Sequence, residues 1–209
     1  RCKNLHEAAR QIVERHGGEV PGDLDSLRAL PGVGPYTARA VLAFADGADV
    51  AVVDTNIARV LARFSSEPLS AKHSQEIADS VLPTGRSWEW NQVIMDFGAQ
   101  VCMARNPKCD SCVLADRCPT RARMRGTWDD RRDPARASAL TSKPQARFDG
   151  SDRQARGRLM KALAERGVRV QEVADVMQLR GDKPRAAKLL ASLERDGLVV
   201  REDEWCRLP

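Results

Sequence analysis

Apolar residues recur every three or four positions through most of the first 125 residues, which predicts a helical domain. The stretch 5–18 places Leu5, Ala8, Ile12 and Val13 on one helical face and ends in a glycine pair. Segments with comparable spacing follow at 23–30, 35–47, 56–64, 73–82 and 87–102. The strict alternation that marks strands is almost absent here. We therefore expect residues 1–125 to form a mainly α domain.

The pattern changes twice in the remainder of the chain. Residues 126–152 are polar, broken by proline and poor in large aliphatic side chains, which is typical of a linker. Residues 153–209 regain helical periodicity after Asp152, a candidate helix cap, and residues 198–209 resemble two short strands around a charged turn. Three helices and a hairpin predict a small winged-helix-like α+β domain, a fold that serves both DNA reading and protein docking.

Composition narrows the class of partner. The chain has 209 residues, and 42% of them are hydrophobic, so one or two domains with a real core are expected. No apolar run approaches the length of a membrane span. A net charge of +5 and a pI near 9.1 favour a polyanion such as nucleic acid. Four Phe and one Tyr are too few for a platform that stacks single strands.

Four of the six cysteines fall within residues 102–118, in the spacing C-x6-C-x2-C-x5-C. Stable disulfides are uncommon in intracellular globular proteins, whose composition this chain shares. Tetrahedral zinc accepts four thiolates, but its usual signature has two C-x2-C pairs and this segment has one. An iron–sulfur cube also takes four thiolates and does not need matched pairs. The spacing by itself leaves zinc and a cluster open.

Two other stretches place candidate chemistry at helix starts. LPGVGPYTA (30–38) joins two predicted helices through Gly32 and Gly34, which let the backbone approach a ligand closely. Free N–H groups at the start of the second helix would bind an anion such as a DNA phosphate, although a tight turn without a ligand explains the same residues. An apolar run at 50–53 is followed by Asp54 at the start of another predicted helix. An ordinary helix N-cap is the alternative explanation for an aspartate at this position.

Taken together, LPGVGPYTA, VDTNIARV (53–60) and the cysteine spacing resemble the helix-hairpin-helix DNA glycosylase superfamily, which includes endonuclease III and adenine-specific mismatch glycosylases. The resemblance covers about residues 1–125. It implies that Asp54 is the catalytic aspartate. It implies that a [4Fe–4S] cluster is held by Cys102, Cys109, Cys112 and Cys118. It also implies contacts with DNA from the hairpin residues Pro31, Gly32, Val33, Gly34 and Thr37, and from the basic loop residues Arg105 and Lys108.

Further residues indicate a branch of that superfamily. Tyr36 stands where endonuclease III carries a lysine nucleophile, and because tyrosine cannot form a Schiff base, a monofunctional enzyme that uses water is implied. Tyr36, Asn56 and the stretch WEWNQVIMDFGA (88–99) are similar to the adenine branch. Asp54 would stabilise positive charge on the sugar, while Tyr36 and Asn56 would orient the aspartate and the sugar.

The predicted function is base-excision repair, in which the N-glycosidic bond of adenine mispaired with guanine or oxidised guanine is hydrolysed in duplex DNA. Two alternatives stay open at this point. One is a thymine or uracil mismatch glycosylase of the same superfamily, and the other is a DNA-binding protein without catalytic activity. We expect a monomer in the bacterial cytoplasm, associated with the nucleoid.

The sequence departs from the family pattern at both ends. The family carries the glutamate that protonates the leaving base in a helical portion that would precede residue 1, so we expect residues 1–209 alone to be an incomplete, inactive core. Residues 153–209 are too short and too helical for the Nudix-like domain that recognises oxidised guanine in many members. The preferred base opposite adenine is therefore left open.

Overall fold

The computed structural model describes residues 2–124, 128–141 and 147–209, and it divides the chain into two compact units, Arg1–Lys143 and Pro144–Pro209. No helix in the described ranges is both long and apolar enough to cross a membrane. The first unit is helical and the second adds a small sheet, so the predicted mainly α fold with a winged-helix-like ending is confirmed.

Seven α-helices build the described part of the first unit. They are α1 Cys2–His16, α2 Leu24–Ala29, α3 Pro35–Phe44, α4 Thr55–Ser65, α5 Ala71–Ser80, α6 Ser87–Gln100 and α7 Pro119–Met124. Polar caps set several starts: the side chain of Asp23 accepts from Ser26 N in front of α2, and that of Ser70 accepts from His73 N in front of α5. Helix α1 begins at Cys2, three residues before the predicted start, because the polar residues ahead of Leu5 continue the same helix.

Helix α4 lies at the centre of this unit. It packs against α5, α6 and α7, and six of its eleven residues are buried, including two arginines. A cluster formed by Ala51, Val53, Ile57, Ala58 and Ala78 lies along its first turns. A separate cluster joins α1, α2 and α3 through Ala8, Leu27, Leu30, Ala38 and Leu42. Packing therefore fixes the first turns of α4, and Asp54 lies at the N-terminal end of this helix.

The structure corrects the predicted linker at residues 128–141. Two short 3-10 turns, Asp130–Arg132 and Pro134–Arg136, lie here, and the second packs against α4. Ser138 Oγ accepts from Leu69 N at 3.0 Å, and Ala139 N donates to Leu69 O at 2.8 Å. The stretch looks like a linker in sequence because its buried residues are polar or small, and their partners lie elsewhere in the chain. The rest of the predicted linker falls partly outside the described residues.

Three α-helices and a three-stranded antiparallel sheet form the second unit over its described residues, 147–209. Its elements are α8 Asp152–Glu165, β1 Val168–Arg169, α9 Val173–Val176, α10 Lys183–Arg195, β2 Val200–Glu202 and β3 Trp205–Arg207. The strand order is β1-β3-β2, and Cys206 of β3 pairs with Val168 on one side and Arg201 on the other. The cap of α8 is Ser151, one residue before the predicted Asp152. The core of the second unit includes Leu159, Met177, Leu193 and Cys206.

Candidate functional site

Segment 50–53 leads into the candidate site and does not belong to a sheet. Side chains form the hydrogen bonds to its backbone that a neighbouring strand would otherwise form. Asn91 on α6 accepts a hydrogen bond from Val52 N at 2.9 Å and donates to Val50 O at 3.0 Å. Ser87 Oγ donates to the same carbonyl at 2.8 Å. Asn91 is almost fully buried, so its amide serves the backbone as a neighbouring strand would.

The carbonyl of Ala51 is satisfied from two other helices. Arg39 Nη1 on α3 donates to it at 3.3 Å, and Gln75 Nε2 on α5 donates to it at 3.1 Å. Both donors also bind Asp79 Oδ1, at 2.9 Å and 3.0 Å. Three helices thus hold segment 50–53, and together they determine where the next residue, Asp54, begins α4.

Asp54 is the N-cap of α4, and each of its carboxylate oxygens accepts hydrogen bonds. Oδ1 accepts from Asn56 N at 2.9 Å and from Ile57 N at 2.7 Å. Oδ2 accepts from Asn56 Nδ2 at 3.1 Å. All three partners are donors, so both carboxyl oxygens act as acceptors in this arrangement. The residue is half-buried, so the remaining lone pairs of Oδ2 can meet a ligand.

Asn56 is oriented by Arg59, one turn further along α4. Arg59 Nη2 donates to Asn56 Oδ1 at 2.8 Å and to Gly98 O at 2.5 Å, and Arg59 Nε donates to Cys102 O at 2.7 Å. Burial lowers the pKa of Arg59, and the nearby Arg63 lowers it further. The guanidinium thereby fixes which way the Asn56 amide points, with its NH₂ toward Asp54.

Arg63, on the same face one turn later, connects α4 with the cysteine segment. Its guanidinium forms two hydrogen bonds with Asp133, at 3.1 Å and 2.8 Å, and Nη1 donates to Cys102 Sγ at 3.3 Å. Burial alone would lower the pKa of Arg63, but Asp133 and Cys102 raise it above its ordinary value. The Trp128 ring lies 4.5 Å from the guanidinium carbon. Hydrogen bonds therefore run from Asp54 through Asn56, Arg59 and the Cys102 carbonyl to Arg63.

Helices α4 and α6 approach each other closely at Gly98. A Cβ on this glycine would lie 2.8 Å from Asn56 Cβ and 3.0 Å from Asn56 O. Both atoms belong to the rigid part of Asn56, so a larger residue cannot be accommodated by rotating a side chain. Gly98 is required for the contact that brings its carbonyl to Arg59.

Cys102, Cys109, Cys112 and Cys118 line one cavity beside the C-terminal half of α4. Nowhere in residues 2–124, 128–141 and 147–209 do three His, Cys, Asp or Glu side chains converge on a single-ion site. Four sulfurs around one zinc ion would be about 3.8 Å apart, given Zn–S bonds of about 2.3 Å. A cube holds its four thiolates further apart, around a larger core. Four thiols on one cavity are the donor set that a [4Fe–4S] cluster takes.

The cysteine segment needs a cationic centre to hold its thiolates. Burial raises the pKa of Cys102, against the effect of Arg63, and burial together with neighbouring thiolates raises the pKa of Cys109. Four thiolates around one cavity would also repel each other. Iron bonded to them would offset the burial and the repulsion, so we expect cluster binding and folding of this segment to be coupled.

The hairpin has an exposed Gly32 and a partly exposed Gly34. Gly32 has φ of +81°, and Gly34 precedes α3 with no atom within 4 Å of the position that a Cβ would take. The first bond of α3 runs from Ala38 N to Gly34 O, which leaves the N–H groups of Tyr36 and Thr37 without an intrahelical acceptor.

The predicted site residues are only partly brought together. Asp54 and Asn56 are hydrogen-bonded, and the four cysteines share a cavity. In the described ranges, the exposed Tyr36 side chain makes no hydrogen bond with Asp54 or Asn56. The basic loop residues Arg105 and Lys108 are exposed. Their roles toward DNA stay predictions.

Sequence reasoning missed several residues that build the site: Arg59, Arg63, Asn91, Gly98 and Asp133. One signal was available. Two arginines four residues apart interrupt an otherwise apolar face of α4, and an arginine in that position needs buried acceptors. Those acceptors are carbonyls of α6 and of the cysteine segment, which no local pattern could identify.

Comparison with known proteins finds matches for the hairpin and for the cysteine segment. The helix-hairpin-helix motif matches residues 15–44, and the iron-sulfur binding domain of endonuclease III matches residues 102–118. The second match confirms the predicted [4Fe–4S] cluster. An adenine DNA glycosylase of Mycolicibacterium smegmatis is 37% identical over 204 residues, covering 95% of this chain. The chain spans 65% of that relative's length.

Two solved structures are similar to part of the chain. A thermostable thymine-DNA glycosylase is 36% identical with a TM-score of 0.55, and the match covers 58% of each chain. A non-covalent complex of endonuclease III with DNA is 31% identical with a TM-score of 0.54, and the match covers 59% of each chain. Both therefore share the architecture of the helical core.

Proposed function

We propose that this chain, which is similar to helix-hairpin-helix DNA glycosylases and over most of its length to adenine-specific ones, excises adenine from mismatches in duplex DNA. The observation that carries the proposal is the paired Asp54 and Asn56 at the start of α4. A carboxylate fixed in this way, half-open to solvent, suits a reaction that builds positive charge next to it.

Adenine is favoured over thymine by the extent of similarity. The adenine DNA glycosylase of M. smegmatis aligns with 95% of this chain, so the second unit is included. The thymine-DNA glycosylase structure covers only 58% of the chain. Over the helical core the identities are close to equal, and thymine excision is therefore the second candidate.

Asp54 would act electrostatically. The target nucleotide has to leave the base stack before its glycosidic bond can be reached. As that bond breaks, positive charge develops on the sugar, and the Asp54 carboxylate stabilises it. The leaving base needs a proton from another group, because this role requires Asp54 to act as a carboxylate, and its oxygens already accept hydrogen bonds from Asn56 and Ile57. The cluster, held by its four cysteines, supplies a structural cross-link.

Water completes the reaction in this proposal. Tyr36, at the second position of α3, has no amine with which to form a Schiff base, so no covalent intermediate is expected. The DNA strand then stays intact after the base has left. Borohydride, which traps Schiff bases, should yield no covalent protein–DNA complex. Trapping through this chain would contradict the assignment.

DNA would be held through its phosphates by the hairpin and the basic loop. The free N–H groups of Tyr36 and Thr37 and the exposed Arg105 and Lys108 are the donors. Such binding is independent of sequence and weakens with salt, with a log–log slope of about 0.9 per phosphate contacted.

The activity is tested by single-turnover excision with the cluster-loaded protein. Duplexes with adenine opposite guanine, adenine opposite oxidised guanine, and thymine opposite guanine are compared. Asp54→Asn should lower the rate on adenine by on the order of a hundredfold or more. Its DNA affinity should be unchanged, because asparagine also caps helices.

A matched control is Asp23→Asn, which alters the N-cap of α2 in the same way. It should leave excision unchanged. Normal excision by Asp54→Asn would reduce Asp54 to a cap and refute the proposal. Excision of thymine alone would favour the second candidate, and binding without any excision would favour a DNA-binding protein.

The binding surface is tested with Gly34→Val. Gly34 has φ of −91° and open space at its Cβ position, so the fold tolerates the change. The added side chain should block the backbone from DNA and weaken binding across all sequences. Ala40→Val, a change of comparable size further along the same helix, is the control. Unchanged affinity of Gly34→Val would exclude the hairpin as a phosphate site.

A further inference from the structure

We propose that residues 128–138, here called the cluster strap, close the cluster cavity and protect the bound cluster from oxidative loss. The sequence predicted a linker here, and neither matched family covers these residues. Three features carry the proposal: a buried ion pair to a residue that contacts a cluster ligand, an aromatic wall, and a second attachment at the end of the strap.

The ion pair fixes the strap beside a cluster ligand. Asp133 accepts two hydrogen bonds from Arg63, and both side chains are 3% exposed. The same guanidinium donates to Cys102 Sγ at 3.3 Å and to the carbonyls of Cys102 and Met103 at 3.1 Å and 2.8 Å. Arg63 therefore spans the strap and the first cysteine. Loss of the Asp133 charge would leave the Arg63 charge buried without its carboxylate.

The side chain of Trp128 forms the aromatic wall of the cavity that the four cysteines line. Its ring lines the same cavity as the four cysteines and lies on the Arg63 guanidinium. The indole Nε1 donates to Asp130 Oδ1 at 2.8 Å, and Asp130 also binds Arg136. Both the face and the edge of the ring are therefore held in place at the cavity.

The far end of the strap is attached independently. Ser138 accepts from Leu69 N and donates to Pro134 O, and Ala135 packs in an apolar cluster with Ala62 and Leu69. With Asp133 between these points, the strap cannot lift from α4 without breaking buried hydrogen bonds. Its contacts are thus those of a permanent cover.

A cover of this kind changes how fast an oxidant reaches the cluster. Ferricyanide takes one electron from the cluster and becomes ferrocyanide, and the oxidised cluster then releases an iron ion, which a chelator captures. Solvent exposure and hydrogen bonds to the sulfurs set how readily a cluster is oxidised. Removing the tryptophan ring exposes the cavity, and removing the Asp133 charge disturbs the donor to Cys102 Sγ.

The test measures cluster loss in the holoprotein, without reference to DNA. Absorbance of the cluster and iron captured by a chelator are followed after ferricyanide is added. Trp128→Ala and Asp133→Asn should lose the cluster on the order of tenfold faster, the scale of outer-shell effects at metal sites. Arg132→Gln, an exposed change within the strap, should match the wild type. Trp128→Phe, which keeps a ring, should restore most of the protection.

Folding is separated from shielding by circular dichroism of each variant before oxidant is added. Trp128 is half-buried and outside the buried ion pair, so Trp128→Ala is the decisive variant if Asp133→Asn cannot be loaded with iron. Equal rates of cluster loss in folded Trp128→Ala and Arg132→Gln would overturn the proposal. This result would not affect the proposed excision of adenine, which is measured separately.

Discussion

Substitution of Gly98 by alanine tests whether the contact between α4 and α6 positions the candidate site. The new Cβ would lie 2.8 Å from Asn56 Cβ, whereas carbon atoms pack best at about 3.5–4.0 Å. The helices must therefore separate by roughly 0.7 Å at this point. The bond from Asn56 Nδ2 to Asp54 Oδ2, already 3.1 Å long, would weaken, as would the bond from Arg59 to Gly98 O.

Two opposing terms determine the effect on stability. Overpacking of a close contact costs about 1–3 kcal/mol. Alanine in place of glycine inside a helix contributes about 1 kcal/mol in the other direction. We expect a net loss of about 1 kcal/mol and a fall in the melting temperature of the first unit of about 2–4 °C. A shift of this size at Asn56 should also slow adenine excision by on the order of tenfold or more.

The control is Gly157→Ala, within α8 of the second unit, where a Cβ would meet no atom within 4 Å. Only the preference for alanine over glycine inside a helix acts at this position, so the free energy of unfolding of the second unit should rise by about 0.5–1 kcal/mol. Melts followed by circular dichroism, with excision assays in parallel, compare the two variants. If Gly98→Ala stabilises its unit as Gly157→Ala does, or excises adenine at the normal rate, then the contact does not position Asn56.

Three further outcomes are expected. Asn91→Ala leaves the buried Val52 N–H unpaired and removes one of the two side-chain donors to Val50 O, so the first unit should lose about 2–4 kcal/mol in urea denaturation, and Asn91→Asp should restore only part of it. Removing iron with a chelator should lower the melting temperature of the first unit and leave the second unit unchanged, because metal binding is coupled to folding. Met177→Ala, at a fully buried site, should cost the second unit about 2–5 kcal/mol and leave cluster absorbance unchanged.

Part of the site could be predicted from the sequence because it depends on residues that are neighbours in the chain. The cysteine spacing, the glycine hairpin and the aspartate at a helix start are short-range features, and the structure places each one where the pattern put it. A helix cap depends on backbone N–H groups within three residues, so neighbouring sequence is sufficient to identify it. The winged-helix-like ending was also predictable, apart from the two-residue strand β1, which is too short for alternation to reveal.

The sequence by itself determined the order of helices, the spacing of the four cysteines and the cap at Asp54, because these depend on residues close together in the chain. Only the tertiary structure decided which residues hold Asp54 in place and what packs beside the cysteine cavity. Arg63 meets Asp133 across seventy positions, and Asn91 serves a segment thirty-nine positions away. Buried polar groups find partners wherever the fold brings them, so their pairing follows from packing and leaves no local pattern.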